Sequence, residues 1–208
     1  MNNNSETTAL SRKDRERLQH RREIIEAAIH LFAQNGYEQT KLEDVAALAE
    51  FGKGTIYNHF ENKIDLFVSS IETVLDDIKD YTEARLKEVT GFEERLQVMV
   101  DAHFDLLRRN ADFVRMFIAQ HRMITQDLPD EYKPILMRRY IVMHEHLLQG
   151  IKEAQSAGWI RPGDPDRYAT YLLGMVHSQI RAINMGLTTL DEVDPKEIIQ
   201  VFLQGVRS

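Results

Sequence analysis

The chain has 208 residues, a formal net charge of −7, 43% apolar residues, ten glycines, five prolines and no cysteine. That apolar content can build a core, which excludes wholesale disorder, and the missing cysteines exclude disulfides and thiolate metal sites and suit a reducing cytoplasm. No stretch approaches the roughly 18 continuous apolar residues of a membrane span, and scarce turn-formers with few alternating β-branched runs predict an all-α protein.

The opening residues, MNNNSETTAL, are polar and lack an apolar export core, so residues 1–12 read as a disordered leader. Arg12, Lys13, Arg15, Arg17, Arg21 and Arg22 then crowd a stretch that holds only Asp14 and Glu16 against them. A basic tip on an acidic body fits nucleic-acid contact at the tip. A solvated helix end explains the same charges, and charge alone does not choose.

The first helix is expected from Lys13 to Asn35, with Leu18, Ile24, Ile25, Ala28, Leu31 and Phe32 as its apolar stripe and Asn35-Gly36 as its stop. Thr40 and Glu43 match the capping box and open a short second helix carrying Leu42, Val45, Ala46 and Leu48. After the connection Ala49, Glu50, Phe51, Gly52, a third helix runs from Lys53 to His59, with Ile56 and Phe60 pointing inward. Two short helices joined by a tight turn make a helix-turn-helix. Around Lys53, Thr55, Tyr57, Asn58 and His59 the outer face is polar or aromatic with hydrogen-bonding tips, suited to base edges and phosphates in a major groove. Gly54 lets backbone approach a neighbour or a phosphate. Tyr57 and His59 also suit half-buried packing, and Lys53 a plain solvated position.

A long fourth helix starts at Asn62 or Lys63 and heads toward Val89, before Gly91 breaks it. Later helices are expected at Glu93 to Arg109, Asp112 to Thr125, Tyr132 to Ala157, Pro165 to Gly186 and Pro195 to Val206. Asp164-Pro165 and Asp194-Pro195 each pair an N-cap with a first-turn proline. The domain boundary is placed within the fourth helix, giving a helix-turn-helix domain over 13–67 and a helical ligand-binding and dimerisation domain over 68–208.

The stretch Arg21 to Phe67, with its I-x-x-A-A-x-x-L-F-A-x-x-G-Y run, Val45-Ala46, Lys53-Gly54-Thr55-Ile56-Tyr57, His59-Phe60 and Asn62-Lys63, closely resembles the N-terminal DNA-binding domain of the TetR family of regulators. The resemblance covers about the first third of the chain; the rest is similar in helix layout. It implies that Thr40 holds a phosphate, that Lys53 and Thr55 contact bases or phosphates, that Tyr57 contacts a phosphate and His59 a groove edge, and that Lys63 reaches the DNA backbone. One departure is the turn, commonly Ala-Gly-Val-Ser in the family and here Ala49-Glu50-Phe51-Gly52. Glu50 requires either a different turn or a tolerated strain; Gly52 caps nearly as well as serine.

The resemblance further implies an apolar cavity among the C-terminal helices, for which His103, Phe117, His121, Tyr140 and Tyr171 are the candidate lining, with plain core as the alternative for each. It also implies a homodimer through the last two helices, with Leu172, Met175, Val176 and Ile183 on one and Ile199 and Phe202 on the other, and Gly174 allowing close approach. The same stripes also suit packing within one subunit. His144 and His146 lie two apart on a helix and face different ways, so no metal set is read. There is no G-x-S-x-G, phosphate-cradling glycine loop or H-E-x-x-H, so no catalytic residue and no cofactor is expected. The expected function is a ligand-responsive regulator, by family norm a repressor, cytoplasmic, gripping palindromic double-stranded DNA as a homodimer and released by an apolar or amphipathic small molecule. The alternative is a DNA-binding regulator controlled by a protein partner, with no small ligand.

Overall fold

The computed structural model describes residues 11–120 and 122–206, apart from the side chains of Leu106, Ile118, Thr125, Arg138, Arg139, Tyr140, Val142, Met143 and Asn184. It divides into two compact units, Met1–Ser70 and Ile71–Ser208. Among the described residues every regular element is helical. Most of the expected leader lies outside the described residues, but its last two positions form the start of the first helix, Ser11 as its cap and Arg12 as its first residue. The Ser11 hydroxyl accepts from the Asp14 amide at 3.1 Å, an N-cap that starts the helix at Arg12.

The first unit holds α1 (Arg12–Gln39), α2 (Leu42–Leu48), α3 (Lys53–His59) and the opening turns of α4 (Lys63–Leu86). Asn35-Gly36 breaks the helical backbone at the expected place. Gly36, at φ 78° and ψ 164°, kinks the helix, and helical turns resume as far as Gln39. That region of backbone space is essentially reserved for glycine. Thr40 closes the kinked tail: its amide donates to the Gly36 carbonyl at 3.3 Å, and its hydroxyl lies 2.8 Å from the Gly36 carbonyl and 3.2 Å from that of Leu31. The expected capping box is therefore not formed. α2 begins at Leu42, with Lys41 at its N-cap and no side-chain cap.

Ile24, Ala28, Phe32, Val45, Ile56, Phe60, Leu66 and Phe67 are buried and form the core of this unit. Phe32 meets Phe67 edge-on at 5.3 Å between ring centroids. Burying each such side chain contributes about 1.5–3 kcal/mol, so these few residues hold three short elements in place. Leu18 and Leu48, counted in the expected stripes, are exposed instead.

The second unit holds the remainder of α4 with α5 (Phe92–Arg109), α6 (Ala111–Ala119), α7 (Lys133–Ser156), α8 (Pro165–Asn184) and α9 (Pro195–Val206). Its core is drawn from four helices: Leu96, Val100 and Phe104 of α5, Ile151 and Ala154 of α7, Leu172 and Val176 of α8, and Ile199 and Phe202 of α9. The Asp164 carboxylate accepts from the Asp166 and Arg167 amides, so this Asp-Pro step is an N-cap as read from sequence. The helix expected over Asp112 to Thr125 is interrupted. α6 ends at Ala119, and a π-helical turn occupies Met123–Asp127.

Three helices end in the same six-residue motif, in which the second residue past the C-cap donates back to the third-last helical carbonyl. In α7 Trp159 donates to Ala154, in α8 Leu187 to Ala182 and in α2 Phe51 to Ala46. The motif needs positive φ just past the cap. Gly158 and Gly186 supply it at 77° and 68°, but in α2 the residue is Glu50, at φ 59°. Of the two alternatives for Glu50, the structure adopts strain within the same turn geometry that Gly158 and Gly186 take freely.

Candidate nucleic-acid interface

α3 is short, and its two faces are sharply divided. Ile56 is wholly buried, and Phe60 just past the helix packs inward. Lys53, Gly54, Tyr57 and Asn58 are exposed, while Thr55 and His59 are partly so. Tyr57 keeps 49% of its surface accessible and is not a half-buried packing residue. A Cβ added to Gly54 would meet nothing within 4 Å, so no neighbour within the chain needs the glycine; the space above it is open.

Two cations of the expected contact set already have partners. Lys53 is ion-paired with Glu43 of α2, and its ammonium lies 5.9 Å from the Tyr57 ring centroid. The pair holds the Glu43 carboxyl below its ordinary range and raises the Lys53 ammonium. Lys63, at the start of α4, donates to the Tyr37 and Glu38 carbonyls at 2.8 and 3.1 Å and sits 4.4 Å over the Tyr37 ring. It thereby satisfies carbonyls left free at the end of α1. Thr40 is corrected: it is buried and its hydroxyl is turned to α1 carbonyls, so that group is not presented to a phosphate.

His59 draws in residues that the motif reading left out. Burial lowers its pKa, and nearby Arg17, Arg21 and His20 lower it further. The Arg21 guanidinium lies 4.7 Å over the Phe60 ring and donates to Ser69 Oγ at 3.0 Å. The His20 ring packs on Phe51 at 4.8 Å. Part of the basic run is thus built into the helix-turn-helix core, whereas Lys13 and Arg15 stay exposed. Helical spacing from Arg17 to Arg21 was the available signal. Glu43 was read only as a cap residue.

In the second unit the described members of the expected ligand set, His103, Phe117 and Tyr171, sit in three different surroundings. His103 is buried, with Nδ1 2.7 Å from the Met99 carbonyl and Nε2 without a hydrogen-bond partner. Burial, with a smaller contribution from His177, lowers its pKa to about 4. Phe117 is half-buried against Phe113 at 5.7 Å. Tyr171 is corrected to a surface position, 54% exposed. His121 and the Tyr140 side chain lie outside the described residues. The expected dimer set is also corrected in part. Leu172, Val176, Ile199 and Phe202 belong to the unit's own core, while Met175 and Ile183 are half-buried at its edge. Gly174 meets no neighbour within 4 Å of an added Cβ. Beside the core, a cavity of about 250 Å³ is lined by Met175, Ser178, Gln179, Ile198 and Val201 among others. Among the described residues no helix is long and apolar enough to cross a membrane, and no group of three His, Asp or Glu could hold a metal ion.

Residues 24–69 match the family model of bacterial regulatory proteins, tetR family. The chain carries a TetR-family DNA-binding domain. It is a DNA-binding transcription regulator, and the family is one of regulators and not of enzymes. The fatty acid metabolism regulator protein of Bacillus subtilis is 27% identical to it over 64% of this chain and 69% of that protein. A probable acrEF/envCD operon repressor of Escherichia coli is 52% identical over 25% of this chain and 24% of that protein, so this strong match spans little more than a reading head. Among solved TetR-like folds, FadR from Bacillus subtilis in complex with stearoyl-CoA superposes with a TM-score of 0.77 at 21% identity, covering 89% of this chain and 99% of that one.

Proposed function

We propose that this regulator is a ligand-responsive repressor that grips a palindromic operator as a homodimer, with α3 of each copy in a major groove, and is released by an amphipathic small molecule bound in the second unit. The observation that carries the reading is the two-faced α3, anchored by Ile56 and presenting Lys53, Gly54, Thr55, Tyr57 and Asn58 outward. In this reading Lys53, Tyr57 and Lys63 hold phosphates and set register, Thr55 and Asn58 meet base edges, and His59 lies at the groove rim. The open space over Gly54 supports close approach of a sugar or phosphate to backbone.

A second copy would cover the apolar atoms that α8 and α9 leave outside the core, among them Met175 and Val201. A two-fold axis there pairs two reading helices with two half-sites. An acyl thioester is the first effector to try. The name of the Bacillus subtilis relative and the stearoyl-CoA held by the structural neighbour support that choice. Release then requires that the ligand bind one helix arrangement more tightly than the other, and the shift is bounded by that difference.

The test is binding of the purified protein to DNA upstream of its own gene, against scrambled competitor, across a salt series. Tight, sequence-selective binding that a long-chain acyl-CoA weakens is the expected result. Weak binding, blind to sequence both there and in a genome-wide fragment selection, would overturn the operator reading.

A further inference from the structure

Among the described residues of the second unit, two buried polar side-chain atoms have no hydrogen-bond partner, Arg95 Nε and His103 Nε2. Both belong to α5. With Met99 between them they stand at helical positions i, i+4 and i+8, on one face of the helix. That face looks at three other helices. Arg95 Nη1 donates to the Leu86 carbonyl at the end of α4, at 3.4 Å. A Cβ built on Gly150 of α7 would meet Met99 Cε at 3.9 Å. His177 of α8 is near enough for its charge to act on His103.

The two atoms differ in kind. His103 Nδ1 donates to the Met99 carbonyl at 2.7 Å, so in the neutral ring Nε2 can only accept. Burial keeps the ring neutral by lowering its pKa to about 4. Thr82, the other described buried polar side chain of this unit, gives its proton to the Ile78 carbonyl at 2.7 Å and offers His103 no donor. Arg95 lies at the half-buried end of the face and is always charged, and its described hydrogen-bond partner is a carbonyl, not a carboxylate. Buried donors and acceptors left unpaired are costly and uncommon. Met99, between them, is an unbranched, adaptable side chain that can yield its space.

We infer that this face of α5 binds an aliphatic molecule carrying an acid group and a hydroxyl, a hydroxylated fatty acid. The acid accepts from Arg95 Nε, the chain lies along Met99 and Gly150, and the hydroxyl donates to His103 Nε2. Eight residues of helix span about 12 Å, which sets the two polar groups on the order of ten carbons apart. A carbonyl, an ether or a second carboxylate at the far end would meet Nε2 with another acceptor. The inference rests on the reading that the second unit holds an amphipathic effector, and it assigns that molecule's polar groups.

The probes are 10-hydroxydecanoate, 3-hydroxydecanoate and decanoate, titrated by calorimetry into the full-length protein without DNA. The 10-hydroxy acid should bind about tenfold more tightly than either of the others. His103→Leu should erase that preference while decanoate still binds, and Arg95→Gln should weaken all the acids by about tenfold. In protein with nitrogen-labelled histidine, the His103 Nε2 resonance should shift with the 10-hydroxy acid and not with decanoate. No binding by any probe, equal affinity for the 10-hydroxy acid and decanoate, a preference that survives His103→Leu, or affinities indifferent to Arg95→Gln would each overturn the inference. Equal binding of the 10-hydroxy acid and decanoate would leave an amphipathic effector standing and remove only this assignment of its polar groups. A failure of acyl-CoA to weaken DNA binding is a separate result, read in the operator assay and not in these titrations.

Discussion

Lys53, the first residue of α3, is ion-paired across the turn with Glu43 in the first turn of α2. A phosphate that engages Lys53 must compete with this carboxylate. Both groups are more than half exposed, so solvent screens the pair and a phosphate displaces it readily. Glu43→Gln should therefore raise affinity about two- to fivefold, equally for operator and scrambled DNA. Parallel titrations of both DNAs check this, and a gain confined to operator would show that Glu43 takes part in base reading.

Lys63 has two duties that one substitution can separate. Lys63→Ala removes the donor to the Tyr37 and Glu38 carbonyls, which should lower stability by about 1 kcal/mol in a denaturant titration. If the third N–H meets a phosphate, binding should also weaken alike on all sequences, and the salt slope should fall by about one counterion. A stability loss with an unchanged slope would leave Lys63 as a cap for α1 only.

Glu50 occupies a backbone position that glycine takes without strain. Glu50→Gly should stabilise the protein by about 0.5–1 kcal/mol, the relief of left-handed strain less the extra chain entropy of glycine. Glu50→Ala, which keeps the strain, should gain little. Thermal melts of the two variants decide this; equal gains would locate the cost in the Glu50 charge instead.

Val201 and Phe202 are adjacent on α9, the first exposed and the second buried. Phe202→Ala opens a hole in the core and should cost about 3–5 kcal/mol. Val201→Lys, at a position 53% exposed, should leave the melt unchanged and, if this face meets a second copy, shift sedimentation from dimer to monomer. A dimer that survives Val201→Lys would place the interface elsewhere.

His103 gives the second unit a pH dependence. Its folded pKa of about 4 lies below the ordinary imidazole value of about 6.5, so the neutral ring is the form the fold favours. The associated stability is complete above about 6.5 and is lost as the pH falls toward 4, a change on the order of 3 kcal/mol. His103→Leu should flatten urea midpoints across that window. A slope unchanged by the substitution would assign it to other groups.

What could be read from sequence was what is decided within a few residues. The Asp164-Pro165 cap and the α2–α3 spacing are local, and both are in the structure. Thr40 shows the limit: a T-x-x-E pattern is the same string whether the hydroxyl caps the next helix or turns back to the carbonyls of Leu31 and Gly36. Leu172 and Val176 show another. An apolar stripe records that a face is covered, not whether a subunit's own core covers it. Tyr171 was grouped with His103 by composition, and only tertiary packing separates an exposed ring from a buried one.

The kink at Gly36 also sets how the reading head tolerates change. Any side chain there either carries about 1–3 kcal/mol of backbone strain or straightens α1, drawing Thr40 off its carbonyls and Tyr37 from under Lys63. In a saturation library selected for operator binding, position 36 should emerge as closed as any residue of α3. Such a map, read as a footprint, would assign Gly36 to the interface, when what it marks is the bend on which the interface is hung.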